Sequence, residues 1–327
     1  DTRATALALW EFAGRAEAAA APSAREARGR ALARYAELVP APLAAHARAD
    51  AARAFLDAGD RAGARAVLEQ LAADTAGNSA MQTQAQGALL EVMIGDGDLD
   101  GAQARLEALT PRLTGDAVEE LRLLLAHARI TRGDLDRAET TLAPDSSVAA
   151  LALRGWVALY RGDLARAVAL FREAGPYAGE RDDATRRSEM VALLQRVAQD
   201  RNAELGGALL ALARGDSAGA VEGLRRAAGR TGSPGDVLLL AGRIAARMGG
   251  TRDADAAALF QQVVEAGGTG AAPPAAELAW AQLLVRQGRG SEAITHLEHL
   301  ILTYPSSAAV PEARRELERA KGAIPRS

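Results

Sequence analysis

The 327-residue sequence lacks cysteine and is poor in aromatic residues, which occupy only 3% of its positions. The absence of cysteine excludes disulfide bonds, zinc–thiolate sites, iron–sulfur clusters and thiol nucleophiles. It also suits an oxidising compartment, where a free thiol is a liability. Because bulky side chains are scarce and alanine and glycine are abundant, we expect elements that pack closely, as helices do when alanine occupies their crossings.

The sequence also lacks an excess of charge of one sign and any long apolar run. Lysine and arginine number 39 against 42 aspartate and glutamate residues, so the formal net charge is −3. Proteins that bind nucleic acid usually carry a basic surplus, because neutralising phosphates supplies most of their affinity. We therefore expect no nucleic-acid partner. No apolar run reaches the 18 or more residues that a transmembrane helix needs.

One short pattern recurs along the chain: a glycine, usually followed by aspartate, with an alanine five residues after the glycine. The copies are Gly59-Asp60 with Ala64, Gly97-Asp98 with Ala102, Gly133-Asp134 with Ala138, Gly162-Asp163 with Ala167, Gly215-Asp216 with Ala220, and Gly288 with Ala293. A looser copy, Gly250 with Ala256, fits if one residue is inserted. Nine residues after each regular glycine stands a larger apolar residue: Leu68, Leu106, Leu142, Phe171, Leu224 and Leu297.

Each part of this pattern has a local physical reason. The glycine adopts the left-handed conformation that ends a first helix without a steric penalty at Cβ. The aspartate accepts a hydrogen bond from a free amide at the start of a second helix, and its charge suits that end of the helix dipole. The alanine lets the two helices approach closely, and the larger residue fills the space toward the next pair. The pattern therefore predicts repeated helix–turn–helix pairs.

Residues 148–180 and 274–307 contain the clearest copies of the full repeat. The first has Gly155, Gly162, Ala167, Phe171 and Ala174 in register, and the second has Ala281, Gly288, Ala293, Leu297 and Pro305. On these positions, residues 43–322 resemble the tetratricopeptide repeat (TPR) family, whose unit is a helix–turn–helix of 34 residues. The resemblance implies an all-α fold, a right-handed α-solenoid of about seven pairs. It also implies a concave groove lined by the first helix of each pair.

We expect three parts along the chain. Residues 1–42 form an N-terminal helical cap of two helices, near 2–20 and 23–38, and residues 43–306 form the solenoid. Residues 307–327 form a C-terminal capping helix and tail. The interval between Gly162 and Gly215 is longer than the others. It therefore predicts an extra helix at roughly 182–200, within an irregular joint near 176–200.

The location of the protein is predicted from weaker signs. The chain starts at Asp1 rather than methionine, which a removed secretory signal or a trimmed chain would explain. The tail from Tyr304 to Arg315 resembles the repeat ends of bacterial envelope TPR proteins, although the same residues are ordinary helix punctuation. We expect a periplasmic or cell-envelope location, with the cytoplasm as the alternative.

Two patterns suggest metal binding, and in both cases a structural interpretation is preferred. Asp96, Asp98, Asp100, Gly101 and Glu107 match the calcium loop of EF-hands. However, the repeat register starts a helix near Leu99, and a helix cannot also wrap as a calcium loop. His296 and His299 are three residues apart, whereas metalloprotease histidines are four apart. We interpret them as exposed residues of a second helix, and we expect no metal and no cofactor.

The TPR resemblance also implies which residues face a partner. In the family, the residues six and two positions before the turn glycine face the groove. Carried onto this chain, the first position gives Arg53, Glu91, His127, Trp156, Leu209, Gln282 and, in the looser copy, Arg243, and the second gives Tyr160, Arg286 and Arg247. Of these, the predicted binding stripe consists of His127, Trp156, Tyr160, Arg243, Arg247, Gln282 and Arg286. Tryptophan, tyrosine and arginine are the residues that dominate interface energetics. The alternative for Trp156 is that it fills a gap between neighbouring repeats.

These observations predict a non-enzymatic scaffold or adaptor that binds a protein partner, as a peptide or a helix, in a concave groove. The alternative is a structural subunit of a larger assembly, in the cell envelope or as a homo-oligomer. An all-α enzyme is a weaker candidate, because no constellation of nucleophile, base and orienting group is visible.

Overall fold

Helices account for every regular element in the residues that the structure describes. The computed structural model describes residues 2–17, 21–73, 79–175, 181–268 and 270–323. Parts of the predicted cap, joint and tail fall on residues 18–20, 176–180 and 324–327, which lie outside this description. The described helices are α1 Thr2–Glu17, α2 Pro22–Ala36, α3 Ala41–Ala58, α4 Arg61–Ala73, α5 Ser79–Asp96, α6 Leu99–Leu109, α7 Gly115–Arg132, α8 Leu135–Leu142, α9 Val148–Tyr160, α10 Leu164–Ala174, α11 Arg181–Val197, α12 Ala203–Ala213, α13 Ser217–Ala228, α14 Pro234–Met248, α15 Asp253–Ala266, α16 Ala272–Arg286, α17 Gly290–Thr303 and α18 Val310–Ala323.

The fold class predicted from the sequence, all-α with TPR-like helix–turn–helix repeats, is confirmed. Seven pairs of helices are joined by the glycine turns identified in the sequence: α3/α4, α5/α6, α7/α8, α9/α10, α12/α13, α14/α15 and α16/α17. None of the described helices is both long and apolar enough to cross a membrane.

The turns have the predicted local structure. Each of the six regular glycines has a positive φ, between 74° at Gly288 and 84° at Gly97. The aspartate that follows caps the second helix by accepting a hydrogen bond from the main-chain N–H three residues later. This bond is present at Asp60, Asp98, Asp134, Asp163 and Asp216. The turn is therefore specified locally by two adjacent residues.

The small and large residues of the second helices are buried as the pattern predicts. The seven alanines five or six residues after the turn glycine are all fully buried: Ala64, Ala102, Ala138, Ala167, Ala220, Ala256 and Ala293. The larger residues that follow them are also buried, with Phe171 3% exposed. A Cβ at Gly155 on α9 would lie 2.5 Å from the Phe171 ring, so glycine at this position lets the ring pack on the α9 backbone.

The looser copy of the repeat contains one additional short element. Gly249 and Gly250 both have positive φ, 68° and 56°, and a single 3-10 turn, Gly250–Arg252, precedes α15. This turn takes up the inserted residue, so that Ala256 is buried like its counterparts in the other pairs.

The chain divides into two compact units. Unit 1 comprises Asp1–Arg129 and Thr140–Asp145, and unit 2 comprises Ile130–Glu139 and Ser146–Ser327. The largest core of unit 1 lies among α3–α7 and includes Leu89, Leu90 and Leu125. The largest core of unit 2 lies among α9–α16, and α11 contributes Leu193, Leu194 and Val197 to it.

In unit 2, the segment after α11 is bound to the Gly162 turn. The main-chain N–H of Asn202 donates to the Gly162 carbonyl over 2.8 Å, and the N–H of Leu164 donates to the Asp200 carbonyl over 2.9 Å. A Cβ at Gly206 on α12 would lie 2.5 Å from the Leu159 carbonyl oxygen, so the two backbones are in direct contact. The start of α12 is therefore packed on the end of α9.

Farther along α12, Leu210 and Arg214 approach the turn of another pair. A Cβ at Gly133 would lie 3.5 Å from an Nη atom of Arg214 and 3.8 Å from a methyl carbon of Leu210. Helix α12 thus contacts the turns of both α7/α8 and α9/α10. The repeat pattern alone does not specify this arrangement.

Candidate partner-binding surfaces

Unit 1 has a groove between α5 and α7, the first helices of two successive pairs. It encloses about 1010 Å³ and is bounded at one end by the connection between α6 and α7. Its lining includes small residues and three leucines. The lining residues are Ala80, Gln82, Thr83, Gln84, Gln86, Gly87, Ala88, Glu91, Leu109, Arg112, Leu113, Thr114, Ala117, Glu120 and Leu121.

Two carboxylates face this groove from opposite helices, Glu91 on α5 and Glu120 on α7. Partial desolvation in the groove raises the pKa of Glu91, and the negative charge of Glu120 raises it further. In the described residues, neither carboxylate forms an ion pair with an arginine or the lysine. The groove therefore contains negative charge that no basic side chain of the described residues neutralises through a direct ion pair.

The opposite charge lies in the connection between α6 and α7. Arg112, in the connection between α6 and α7, is exposed and lines the groove. Within the part of the chain that is described, it has no ion-pair partner. The groove is thus electrostatically asymmetric, with an unpaired cation at the α6–α7 connection and two carboxylates on the helices.

Gly87 marks open space on the α5 side of this groove. No protein atom lies within 4 Å of a Cβ built at this position. A side chain introduced here would therefore project into the groove without a clash at its first carbon. This position allows the groove to be blocked with little disturbance of its walls.

Two residues of the predicted stripe, Trp156 and Tyr160, are together on α9. Their ring centroids are 5.9 Å apart in a stacked arrangement, and Trp156 also meets Phe171 edge-on at 4.9 Å. Both rings are only partly exposed. Burial raises the pKa of Tyr160 to about 12, while the positive charge of Arg186 acts in the opposite direction. These aromatic side chains therefore contribute to the packing of unit 2 as well as to its surface.

The three arginines of the stripe differ in whether they form hydrogen bonds and ion pairs within the chain. Arg243 and Arg247 are exposed, one turn apart on α14, and neither has an ion-pair partner in the described residues. Arg286 on α16 donates a 2.9 Å hydrogen bond to the Ala246 carbonyl and lies 3.6 Å from Asp253. It therefore links α16 to the end of α14 and the start of α15.

The remaining two members of the stripe lie elsewhere. Gln282 donates a 3.0 Å hydrogen bond to Glu312 on α18. His127 is exposed on α7, in the part of that helix that belongs to unit 1. The other six members of the stripe belong to unit 2. Within unit 2, the structure brings Trp156 next to Tyr160 and Arg286 next to the last turn of α14, which contains Arg247.

A buried carboxylate beside two histidines is absent from the sequence predictions. Glu277 on α16 has a side chain only 2% exposed, and its Oε1 lies 2.7 Å from Nδ1 of His299 and 3.4 Å from Nδ1 of His296. The interpretation of both histidines as exposed is wrong for His296, whose ring is partly buried 4.1 Å from that of Trp280. The sequence feature that could have predicted this site is Glu277 itself, because it is the single charged residue in the apolar stretch 271–285.

The residues that match a calcium loop serve the repeat instead. Helix α6 begins at Leu99, and Asp98 caps it by accepting a 3.1 Å hydrogen bond from the Gly101 N–H. Asp100 lies 3.8 Å from Arg129, and Glu107 accepts a 2.7 Å hydrogen bond from Gln103. Among the described residues, no group of three or more histidine, aspartate or glutamate side chains is arranged to hold a metal ion.

Comparison of the sequence with protein-family models and with curated proteins finds no match. Among solved structures, a tetratricopeptide repeat protein from Parabacteroides merdae ATCC 43184 is 15% identical, over 85% of this chain and 98% of its own, with a TM-score of 0.36. The TPR domain of P58(IPK) is 14% identical, over 98% of this chain and 99% of its own, with a TM-score of 0.28. A chain of the APC/C hetero-tetramer Cut9–Hcn1 is 12% identical, over 98% of this chain and 82% of its own, with a TM-score of 0.27. Because these TM-scores are low, the fold is assigned from the chain's own helices and turns.

Proposed function

We propose that this protein is a non-enzymatic scaffold that binds a peptide or a helix of a protein partner along the first helices of its pairs. The observation that supports the proposal most directly is the groove of about 1010 Å³ between α5 and α7. Its lining combines small residues, neutral polar side chains and leucines with a few charges, so a partner segment could make both apolar contacts and hydrogen bonds there. Glu91 stands six residues before Gly97, a position that the TPR resemblance assigns to the partner-facing side.

The predicted stripe provides a second contact region in unit 2. Arg243 and Arg247 are exposed without ion pairs in the described residues, so they are available to an acidic segment or a terminal carboxylate. The partly exposed Trp156 and Tyr160 would add apolar contact. Arg286 and Gln282 are engaged within the chain, so a partner would have to replace these hydrogen bonds.

A variant that blocks the groove tests this proposal. In Gly87→Leu, a bulky side chain enters the groove, whereas in Gly207→Leu the same change is made in open space on α12. The purified proteins are used to capture partners from an extract of the native organism, and captured proteins are quantified by mass spectrometry. We expect Gly87→Leu to lose specific partners that wild type and Gly207→Leu retain. Equal capture by all three would contradict a partner site in this groove.

We also propose a periplasmic or cell-envelope location, with the cytoplasm as the alternative. The absence of cysteine and the helix-stop sequence at Tyr304–Ser307 support this location. Cell fractionation with an antibody against the protein tests it, and recovery with cytoplasmic markers would favour the alternative.

A second candidate function, a structural subunit of a larger assembly or a homo-oligomer, is favoured by the surface of α1. The cap of a solenoid needs a polar outer face to stay soluble, but on α1 Leu7 is 59% exposed and Trp10 is 51% exposed. Association with another copy would remove this apolar surface from water. Light scattering after size-exclusion chromatography tests it. A concentration-dependent oligomer that Leu7→Ser and Trp10→Ser disrupt would support it, whereas a monomer at micromolar concentration would oppose it.

A further inference from the structure

We propose that the groove between α5 and α7 selects a partner segment with a lysine or arginine side chain, whose cationic group lies between Glu91 and Glu120. This inference depends on the function proposed above and adds the chemical class of the ligand. Two carboxylates on opposite helices face one groove, without a basic residue from the described part of the chain to pair with them.

The electrostatics of the free groove favour such a ligand. Like charges that face each other oppose folding, and a ligand cation between them would replace their repulsion by two attractions. Guanidinium fits this place especially well, because its planar array of five donors can bond to two carboxylates at once. The described residues supply no cation that pairs with these carboxylates, so in the proposed complex the positive charge comes from the partner.

The shape of the groove indicates a peptide rather than a free ion. A volume of about 1010 Å³ accommodates several residues, and the small lining residues Gly87, Ala88 and Ala117 leave room for a peptide chain. Leu109 and Leu113 offer apolar contact to neighbouring side chains of the ligand. A small cation alone would use only the two carboxylates and leave the rest of the surface empty.

Arg112 gives the bound segment a direction. A cationic side chain is repelled at the α6–α7 connection, where Arg112 is exposed, and is attracted farther along the helices by Glu91 and Glu120. An acidic side chain or a terminal carboxylate of the same segment would pair with Arg112. The groove thus distinguishes between the two orientations of a segment with one basic and one acidic residue.

Selection from a random library of 12-residue peptides displayed on phage provides the probe. Peptides recovered on the wild-type chain are synthesised, and their affinity is measured by fluorescence anisotropy. Each peptide is also made in a neutral form, with citrulline in place of arginine and acetyl-lysine in place of lysine, which removes the positive charges and keeps side chains of similar length. The protein variants are the double variant Glu91→Gln/Glu120→Gln, the control Glu119→Gln next to one of these positions, and the blocking variant Gly87→Leu. Each variant is compared with wild type by circular dichroism and melting temperature.

We expect to recover peptides rich in lysine and arginine. They should bind the double variant at least tenfold more weakly than wild type, and their neutral forms should bind wild type at least tenfold more weakly than the charged forms. Glu119→Gln should bind them unchanged, and Gly87→Leu should not bind them. Added salt should weaken binding to wild type more than to the double variant. The comparison of charged and neutral peptides uses the unmodified protein, so it remains decisive even if a protein variant folds poorly.

Two other outcomes would overturn the inference in distinguishable ways. In the first outcome, the recovered peptides fail to bind Gly87→Leu but show no preference for basic residues and bind equally well in their neutral form. The proposed function would then remain, and the cationic ligand would be wrong. In the second outcome, no peptides are recovered, or the recovered peptides bind Gly87→Leu as well as wild type. The groove would then not be a peptide site, and this inference would be wrong as well.

Discussion

The turns at Gly162 and Gly215 have the same sequence and backbone conformation but different surroundings. Both glycines are left-handed, with φ of 78° and 83°, and both following aspartates cap the next helix. A Cβ at Gly215 would meet no atom within 4 Å, whereas one at Gly162 would lie 2.6 Å from the backbone of Ala203. The glycine–aspartate signature thus specifies a turn and leaves open whether another element packs on it.

The sharpest test of this difference is made on α12, at two adjacent glycines. In Gly206→Ala, the new methyl group would lie 2.5 Å from the Leu159 carbonyl oxygen, while in Gly207→Ala it would meet nothing within 4 Å. We expect Gly206→Ala to lower the free energy of unfolding by about 3 kcal/mol, because backbone atoms cannot move aside cheaply. Gly207→Ala should instead stabilise the helix by about 0.5–1 kcal/mol.

Chemical denaturation followed by circular dichroism measures both changes. If the two variants unfold at the same denaturant concentration, α12 does not pack closely on the end of α9.

A smaller difference is expected between the two turn glycines themselves. Alanine at either position has to adopt a left-handed conformation, which costs about 1–2 kcal/mol. Gly162→Ala also clashes with the backbone at the start of α12, so it should cost about 2 kcal/mol more than Gly215→Ala. Urea unfolding of the two variants measures the difference, and equal losses would show that the α12 contact contributes little to stability.

The sequence predicts the local part of this comparison correctly because the turn depends on near neighbours. A left-handed glycine, an aspartate cap and a buried alanine each follow from interactions within a few residues. The packing of α12 on the Gly162 turn was not predictable in the same way, since Gly206 contacts Leu159 and Gly162 across 44 or more residues. Nothing in the local pattern distinguishes Gly206 from Gly207.

The candidate sites illustrate the same limit. The resemblance identifies Glu91 as a partner-facing position, but the charge facing it comes from Glu120 on another pair. The proximity of Glu277 to His296 and His299 likewise depends on how α16 packs against α17. Periodicity predicts which face of a helix is buried. It does not predict which polar groups meet across two helices.

The two aspartate caps should be nearly equivalent, which provides a control for the glycine results. Asp163→Ala and Asp216→Ala each remove one hydrogen bond to the start of a second helix, at a cost of about 1 kcal/mol. Asp163 also lies 3.8 Å from Arg201, whose side chain is 83% exposed, so this ion pair should add little. Thermal unfolding of both variants measures the losses. A much larger loss for Asp163→Ala would mean that the α12 junction depends on the cap.

The last difference between the two turns is a titratable side chain, which affects stability only at high pH. Tyr160 precedes Gly162 by two residues, and the corresponding position before Gly215 is Ala213, which cannot titrate. Burial raises the pKa of Tyr160 from an ordinary value of 10.0 to about 12, with the charge of Arg186 acting in the opposite direction. The protonated phenol therefore contributes stability that is complete below pH 10 and is lost as the pH rises through 12. Wild type should lose stability over this range faster than Tyr160→Phe, whereas the two should differ little in pH dependence from pH 7 to pH 9. Urea unfolding at each pH measures this difference, and parallel curves up to pH 12 would contradict the burial of the hydroxyl group.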